Sequence, residues 1–128
     1  MKMLPWNRPL SNIDIESIIQ QTAISSIFRG TFSRDELLTL QPKNDQEAGV
    51  INHSRSDEAG THWTAWFKKL KNDIFYFDSF GDLPPPIEFL KYASKCDVYY
   101  NTERAQRLNS VICGQLCLCF LLKEYFKN

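Results

Sequence analysis

The feature that most limits what this chain can become is an apolar run near its C-terminus, Val111-Ile112-Cys113-Gly114-Gln115-Leu116-Cys117-Leu118-Cys119-Phe120-Leu121-Leu122. Its pattern predicts a helix over 113–126, opened by a Cys-Gly pair. A helix N-terminus carries positive partial charge, which lowers a cysteine pKa and makes the sulfur nucleophilic. His62 stands 51 residues before Cys113, in Gly60-Thr61-His62-Trp63, where a strand is expected to start. Between them lies Phe77-Asp78-Ser79-Phe80-Gly81, and Gln106 sits seven residues before Cys113. A thiol, an imidazole, a carboxylate and an amide in one chain point to thiol-protease chemistry.

At 128 residues the chain is long enough for one domain spanning 1–128, with residues 1–10 as an irregular arm. Fifteen basic residues balance fifteen acidic ones, so nothing in the net charge demands a polyanion partner. The four cysteines, Cys96, Cys113, Cys117 and Cys119, all fall in the last third. The N-terminal residues lack the apolar core of a secretion signal, so a reducing compartment and free thiols are expected. No apolar stretch reaches the roughly 18 residues of a membrane span. A soluble, unsecreted monomer is the expectation.

Turn formers and apolar spacing divide the rest of the chain. Ser11-Asn12-Ile13-Asp14 resembles a helix start, and Ile13, Ile15, Ile18 and Ile19 supply its apolar stripe. Phe28 to Phe32 reads as a short extended segment, Asp35 to Leu38 as one helical turn, and Gln41 to Ala48 as polar loop. Gly49 to Asn52 reads as a strand, followed by a loop over 54–60. His62–Lys68 and Asp73–Asp78 read as an antiparallel hairpin. Pro84-Pro85-Pro86 precedes a helix over 87–92, and Asp97 to Tyr100 is a further strand.

The hairpin supplies a geometric test. If its turn centres on Leu70, paired residue numbers sum to 140 and His62 opposes Asp78. Directly opposed side chains have Cβ atoms about 4.5–5.5 Å apart, which suits an imidazole–carboxylate hydrogen bond. A slip of one residue would turn the two to opposite faces. In this arrangement Cys113 attacks a peptide carbonyl as thiolate, and His62 carries the complementary charge and protonates the leaving amine. Asp78 fixes the imidazole tautomer. The Gln106 side chain and the Cys113 backbone N–H bind the developing oxyanion.

These residues, in this order, resemble the adenain family, the maturation proteases of adenoviruses, with relatives in virus-like transposons and small DNA viruses. Phe28-Arg29-Gly30-Thr31-Phe32 is similar to the family's Phe-x-Gly-Thr-aromatic segment. Ala48 to Asn52 followed by Gly60-Thr61-His62-Trp63 is similar to its strand, loop and catalytic histidine. Phe77-Asp78-x-Phe80-Gly81 is similar to its acidic strand end, and Gln106 with Asn109-Ser110-x-x-Cys113-Gly114 to its oxyanion glutamine and nucleophile. The resemblance runs over residues 26–123. It implies an α+β fold: a mixed central β-sheet flanked by helices, with the nucleophile at the N-terminus of the central helix. It implies cleavage of viral capsid or core precursors near glycine during virion maturation, in the virion and the infected cell, nucleus or cytoplasm. Gly30, Thr31 and Trp63 then border the substrate cleft. It also implies a peptide activator joined through a disulfide, for which Cys96 stands one residue from the matching position, and a DNA activator that the balanced charge does not require.

The chain departs from the pattern in two places. It is much shorter than the adenovirus enzymes. Its acid is Asp78, followed by Ser79, where those enzymes commonly carry Glu. Asp-Ser is instead similar to the ubiquitin-like-protein proteases, so a deubiquitinase or ubiquitin-like-protein protease is the first alternative. A non-enzymatic capsid or DNA-binding module is the second. Each residue also has a plainer reading: His62 a strand-edge histidine, Cys113 a small core residue, Asp78 a turn cap with Asp82 as spare carboxylate. His53 has no motif and reads as a loop residue. Cys117 and Cys119 read as helix packing, and Cys-x3-Cys-x-Cys is not a zinc spacing, so no metal is expected.

Overall fold

Alternating burial on both sides of a sheet dictates the architecture. A computed structural model of the chain describes residues 5–40, 44–53, 62–69, 72–81, 83–105 and 111–127. Its elements are α1 (Asn12–Gln20), β1 (Phe28–Ser33), β2 (Glu47–Asn52), β3 (Trp63–Lys68), β4 (Asp73–Phe77), α2 (Ile87–Tyr92), β5 (Asp97–Tyr100) and α3 (Cys113–Tyr125). Two 3₁₀ turns, Ala23–Ser26 and Asp35–Thr39, flank β1. The five strands form one sheet in the order β1-β2-β3-β4-β5. The β1–β2 and β4–β5 pairs are parallel and the central pairs antiparallel, so the sheet is mixed. This is the α+β arrangement that the family resemblance implies.

The central strands are buried on both faces. Ala48, Val50, Ala65 and Phe67 point to α1 and α3, against Ile15, Ile19, Cys117, Leu118 and Leu121. Ile51, Trp66, Ile74 and Tyr76 point the other way, against Leu37, Phe89 and Tyr92. Gly49 is required where the Trp66 ring crosses β2: a Cβ there would lie 2.2 Å from the ring. The α1 start is a capping box, with Ser11 and Asp14 bonding each other's backbone N–H. Of the expected apolar stripe, Ile15 and Ile19 are buried, while Ile13 faces solvent.

Two expectations need correction. Residues 47 and 48, read as loop, open β2. Glu47 misled the reading because it is charged, yet it is fully buried. Its carboxylate accepts from the Trp66 indole N–H at 2.8 Å, the Tyr92 hydroxyl at 2.5 Å and the Asn44 backbone N–H at 2.8 Å, and pairs with Arg29 at 3.4 Å. The hairpin register is also displaced. Ala65 pairs with Phe77 and Trp66 with Tyr76, so the numbers sum to 142, not 140.

Candidate active site

Three backbone segments meet at the end of the sheet where β3 begins. Cys113 is the first residue of α3 and its thiol is buried. The sulfur accepts the Trp63 backbone N–H at 3.4 Å. The His62 side chain and the Gly114 backbone N–H also act on the sulfur, and both favour its thiolate. The first backward helical bond runs from Leu116 N–H to Ile112 O, so the Cys113 N–H belongs to a first turn without intrahelical partners.

His62 lies one residue before β3, and its Nε2 is 2.8 Å from Asp78 Oδ1. That leaves Nδ1 for the thiol. Phe80 stacks on the imidazole with ring centroids 4.6 Å apart. The same Asp78 oxygen accepts the Phe80 N–H at 2.9 Å. Asn101, just past β5, holds the Asp78 backbone at both ends: it accepts the Asp78 N–H at 2.9 Å and donates to the Asp78 carbonyl at 2.7 Å. Gly81 lets the chain turn away at φ +66°, where a Cβ would lie 2.3 Å from the Glu103 carbonyl oxygen.

The charges follow from these contacts. Burial pushes the His62 pKa down, but its bonds to Asp78 and Cys113 outweigh burial and lift it to about 9. Burial pushes the Cys113 thiol up, yet the bonds from His62 and from the Trp63 and Gly114 N–H groups leave it below the ordinary thiol value. Burial raises Asp78 likewise, and His62 and the Phe80 N–H hold it below the usual carboxylate range. Both members of the Cys113–His62 pair are therefore biased toward the ionised form, thiolate beside imidazolium. By contrast, full burial raises Cys117 well above the ordinary thiol value and burial raises Cys119, so neither is a competing nucleophile.

The other expected site residues fall in different places. Gln106, with Gly60, Thr61, Asp82, Asn109 and Ser110, lies outside the described residues. Gly30 and Thr31 lie in β1, an edge strand separated from β3 by β2, and the Thr31 hydroxyl bonds Glu16 of α1 at 2.5 Å. Trp63 is half-buried, and its indole N–H donates to the Leu10 carbonyl at 2.8 Å. Cys96 is a free thiol packed at the edge of the second core cluster.

Two neighbours were not anticipated. His53, expected in a loop, continues the β2–β3 ladder: its backbone N–H donates to His62 O at 2.8 Å. Its Nε2 is 2.7 Å from the Tyr76 hydroxyl, and its ring stands edge-on to His62 with centroids 5.4 Å apart. Burial first, and then the charge on His62, push its pKa down to about 4, so it adds no second positive charge at neutral pH. Asn101 is the other, and no local signal marks it, because its role depends on β5 lying beside β4.

No family model matches the chain. It is similar to a protease of bovine adenovirus 2, with 27% identity over 124 residues, covering 84% of this chain and 60% of that protein. The chain is adenain-like. Its fold is similar to that of a protease of African swine fever virus (ASFV) known from a crystal structure. The TM-score is 0.59 at 20% identity, covering 91% of this chain and 58% of the other, so that likeness speaks for the fold alone. The adenain-like chain spans about 60% of the length of the relatives it matches. Among the described residues, no helix is long and apolar enough to cross a membrane.

Proposed function

We propose that this chain is a cysteine endopeptidase that cuts viral capsid or core precursors near glycine during virion maturation. The observation that carries the reading is the meeting of Cys113, His62 and Asp78, with a backbone N–H aimed at the sulfur. Similarity to an adenovirus protease supports the viral setting, in the virion and the infected cell.

In this reading the Cys113 thiolate attacks the scissile carbonyl carbon. The oxyanion takes the Cys113 N–H and, by family resemblance, the Gln106 amide. Losing one such donor typically costs roughly 2.7–4 kcal/mol of transition-state stabilisation. The His62 imidazolium gives its proton to the departing amine, leaving a thioester on Cys113. Neutral His62 then takes a proton from water, the hydroxide attacks the thioester, and the carboxyl product leaves as the thiolate returns. Asp78 holds the ring in the tautomer that both steps need.

The test is to incubate wild type and Cys113→Ala with structural proteins encoded beside it, then map new termini by mass spectrometry. New termini next to glycine that vanish with Cys113→Ala support the reading. Cleavage of a ubiquitin-like precursor, with capsid proteins left whole, would move the substrate class to ubiquitin-like proteins. Persistent cleavage in Cys113→Ala would remove the nucleophile assignment.

A further inference from the structure

The expected irregular arm is tied to two of the three segments that build the site. Gln115, two residues after Cys113, is fully buried, and its amide donates to the Pro5 carbonyl at 2.5 Å and the Arg8 carbonyl at 2.7 Å. Its Oε1 has no partner among the described residues, so its polar engagement there is entirely with the arm. Trp63, the residue after His62, donates its indole N–H to the Leu10 carbonyl. Leu10 is buried in the core under α3. A Cβ on Gly114 would lie 3.1 Å from Leu10 Cβ and 3.3 Å from the Trp63 ring, so arm, strand and helix touch at one point. The arm's exit into α1 is fixed by Arg8–Asp14 at 2.8 Å and by the Ser11–Asp14 capping box.

We propose that residues 5–10 act as a positioning strap, with Gln115 as its anchor, holding the start of α3 in register with the strand that carries His62. Without it, the polar contacts between α3 and Trp63 are two sulfur bonds: Trp63 N–H to Cys113 Sγ, and the Cys117 thiol to Trp63 O at 3.3 Å. Thiols are weak donors and acceptors. The Cys113 helix has no side-chain cap of its own at Ile112, so its first turn depends on neighbours for placement. The strap crosses from one to the other with three N–H···O bonds.

This inference rests on the protease reading of the site, and its test separates the two. The probe is iodoacetamide. The pH dependence of Cys113 alkylation is followed by peptide mapping, which distinguishes it from Cys96, Cys117 and Cys119. The proteins are wild type, a deletion of residues 1–9, and Gln115→Leu, which keeps bulk and removes both donors. In wild type the alkylation midpoint lies below the ordinary thiol value of 9.0. Both variants are expected to fold cooperatively, to raise that midpoint toward 9.0, and to slow alkylation at neutral pH about tenfold or more, as thiolate is lost. A lowered midpoint in wild type that neither variant moves overturns the strap and leaves the site reading standing. An ordinary midpoint in wild type overturns both. If the deletion does not fold, Gln115→Leu decides. Loss of cooperative folding in Gln115→Leu overturns the strap too, because it would make the contact a requirement of the whole fold.

Discussion

His62 reaches Asp78 along a diagonal of the sheet, not straight across it. The observed register, continued past the strand ends, sets Phe80 opposite His62 and Thr64 opposite Asp78. Diagonal neighbours lie about 7–8 Å apart along the backbone, within reach of an imidazole and a carboxylate leaning together. Phe80 fills the facing position and stacks on the ring instead. The imidazole is thereby fixed by a hydrogen bond at its edge and an aromatic surface on its face.

Asp78→Asn keeps an acceptor for the Phe80 N–H but removes the charge that holds His62 protonated. The His62 pKa should fall from about 9 toward its ordinary 6.5. We expect kcat to drop roughly 10²–10⁴-fold, with the basic limb of the kcat/KM pH profile moving down. The measurement is that profile on a cleaved precursor peptide. A basic limb still near 9 in the variant would assign the partner role elsewhere, with Asp82 the next carboxylate to substitute.

The diagonal also explains why the sequence could suggest the right contact through the wrong register. The expected sum of 140 and the observed 142 differ by two residues. Side chains alternate with a period of two, so a two-residue slip returns His62 and Asp78 to the same face. A slip of one would have destroyed the argument. Helices α1, α2 and α3 and the central hairpin were legible because apolar spacing and turn formers mark them. The opening of β2 was not, since Glu47 reads as loop until Trp66, Tyr92 and Arg29 are folded around it. Asn101 and His53 were invisible for a related reason: their partners lie 23 residues away in each case, in or just past β4.

The Cys113–His62 pair makes a prediction about stability as well as rate. A raised His62 pKa contributes stability fully present below 6.5 and lost as pH rises toward about 9. A lowered Cys113 pKa contributes stability present above 9.0 and lost as pH falls through its folded value. Between pH 6.5 and 9 the His62 contribution falls, and above the folded Cys113 value the Cys113 contribution grows against it. Urea midpoints of wild type should therefore fall less steeply toward pH 9 than those of a variant without the thiol. Cys113→Ala leaves His62 raised by Asp78 alone, so its midpoint should decline with rising pH. A decline equally steep in wild type and Cys113→Ala would mean that the thiol is not ionised beside the imidazole.

Asn101→Ala tests how the acid is held. The substitution strands the Asp78 N–H and carbonyl, which Asn101 satisfies together, and frees Glu103 from the same amide. The stability cost should be about 1–3 kcal/mol, that of an unpaired backbone group. Asp78 would keep its chemistry but lose its fixed backbone, so kcat should fall about tenfold to a hundredfold with little change in KM, as for a misplaced catalytic group. Steady-state kinetics beside a urea melt separate the two effects. A stability loss of that size with unchanged kcat would make Asn101 a fold residue and nothing more.

Glu47 offers the opposite separation, a large effect on stability with none on chemistry. Its carboxylate is wholly buried and gathers the Trp66 indole, the Tyr92 hydroxyl, the Asn44 N–H and the Arg29 guanidinium. Arg29 also reaches Tyr92 at 2.9 Å, so the groups form one network tying β1, β2, β3 and α2 together. Glu47→Ala would leave a guanidinium and several donors facing a cavity, at a cost of about 3–5 kcal/mol, the range for breaking one side of a buried ion pair. Glu47→Gln keeps an acceptor and most of the volume, so it should lose less. The carboxylate lies at the end of β2 opposite Asn52, which pairs with Trp63 beside the thiol. Protein that remains folded should therefore alkylate Cys113 at the wild-type rate. Urea unfolding of both variants, with Cys113 alkylation measured below the transition, checks this. A slowed thiol in fully folded Glu47→Gln would show that the network reaches the site after all.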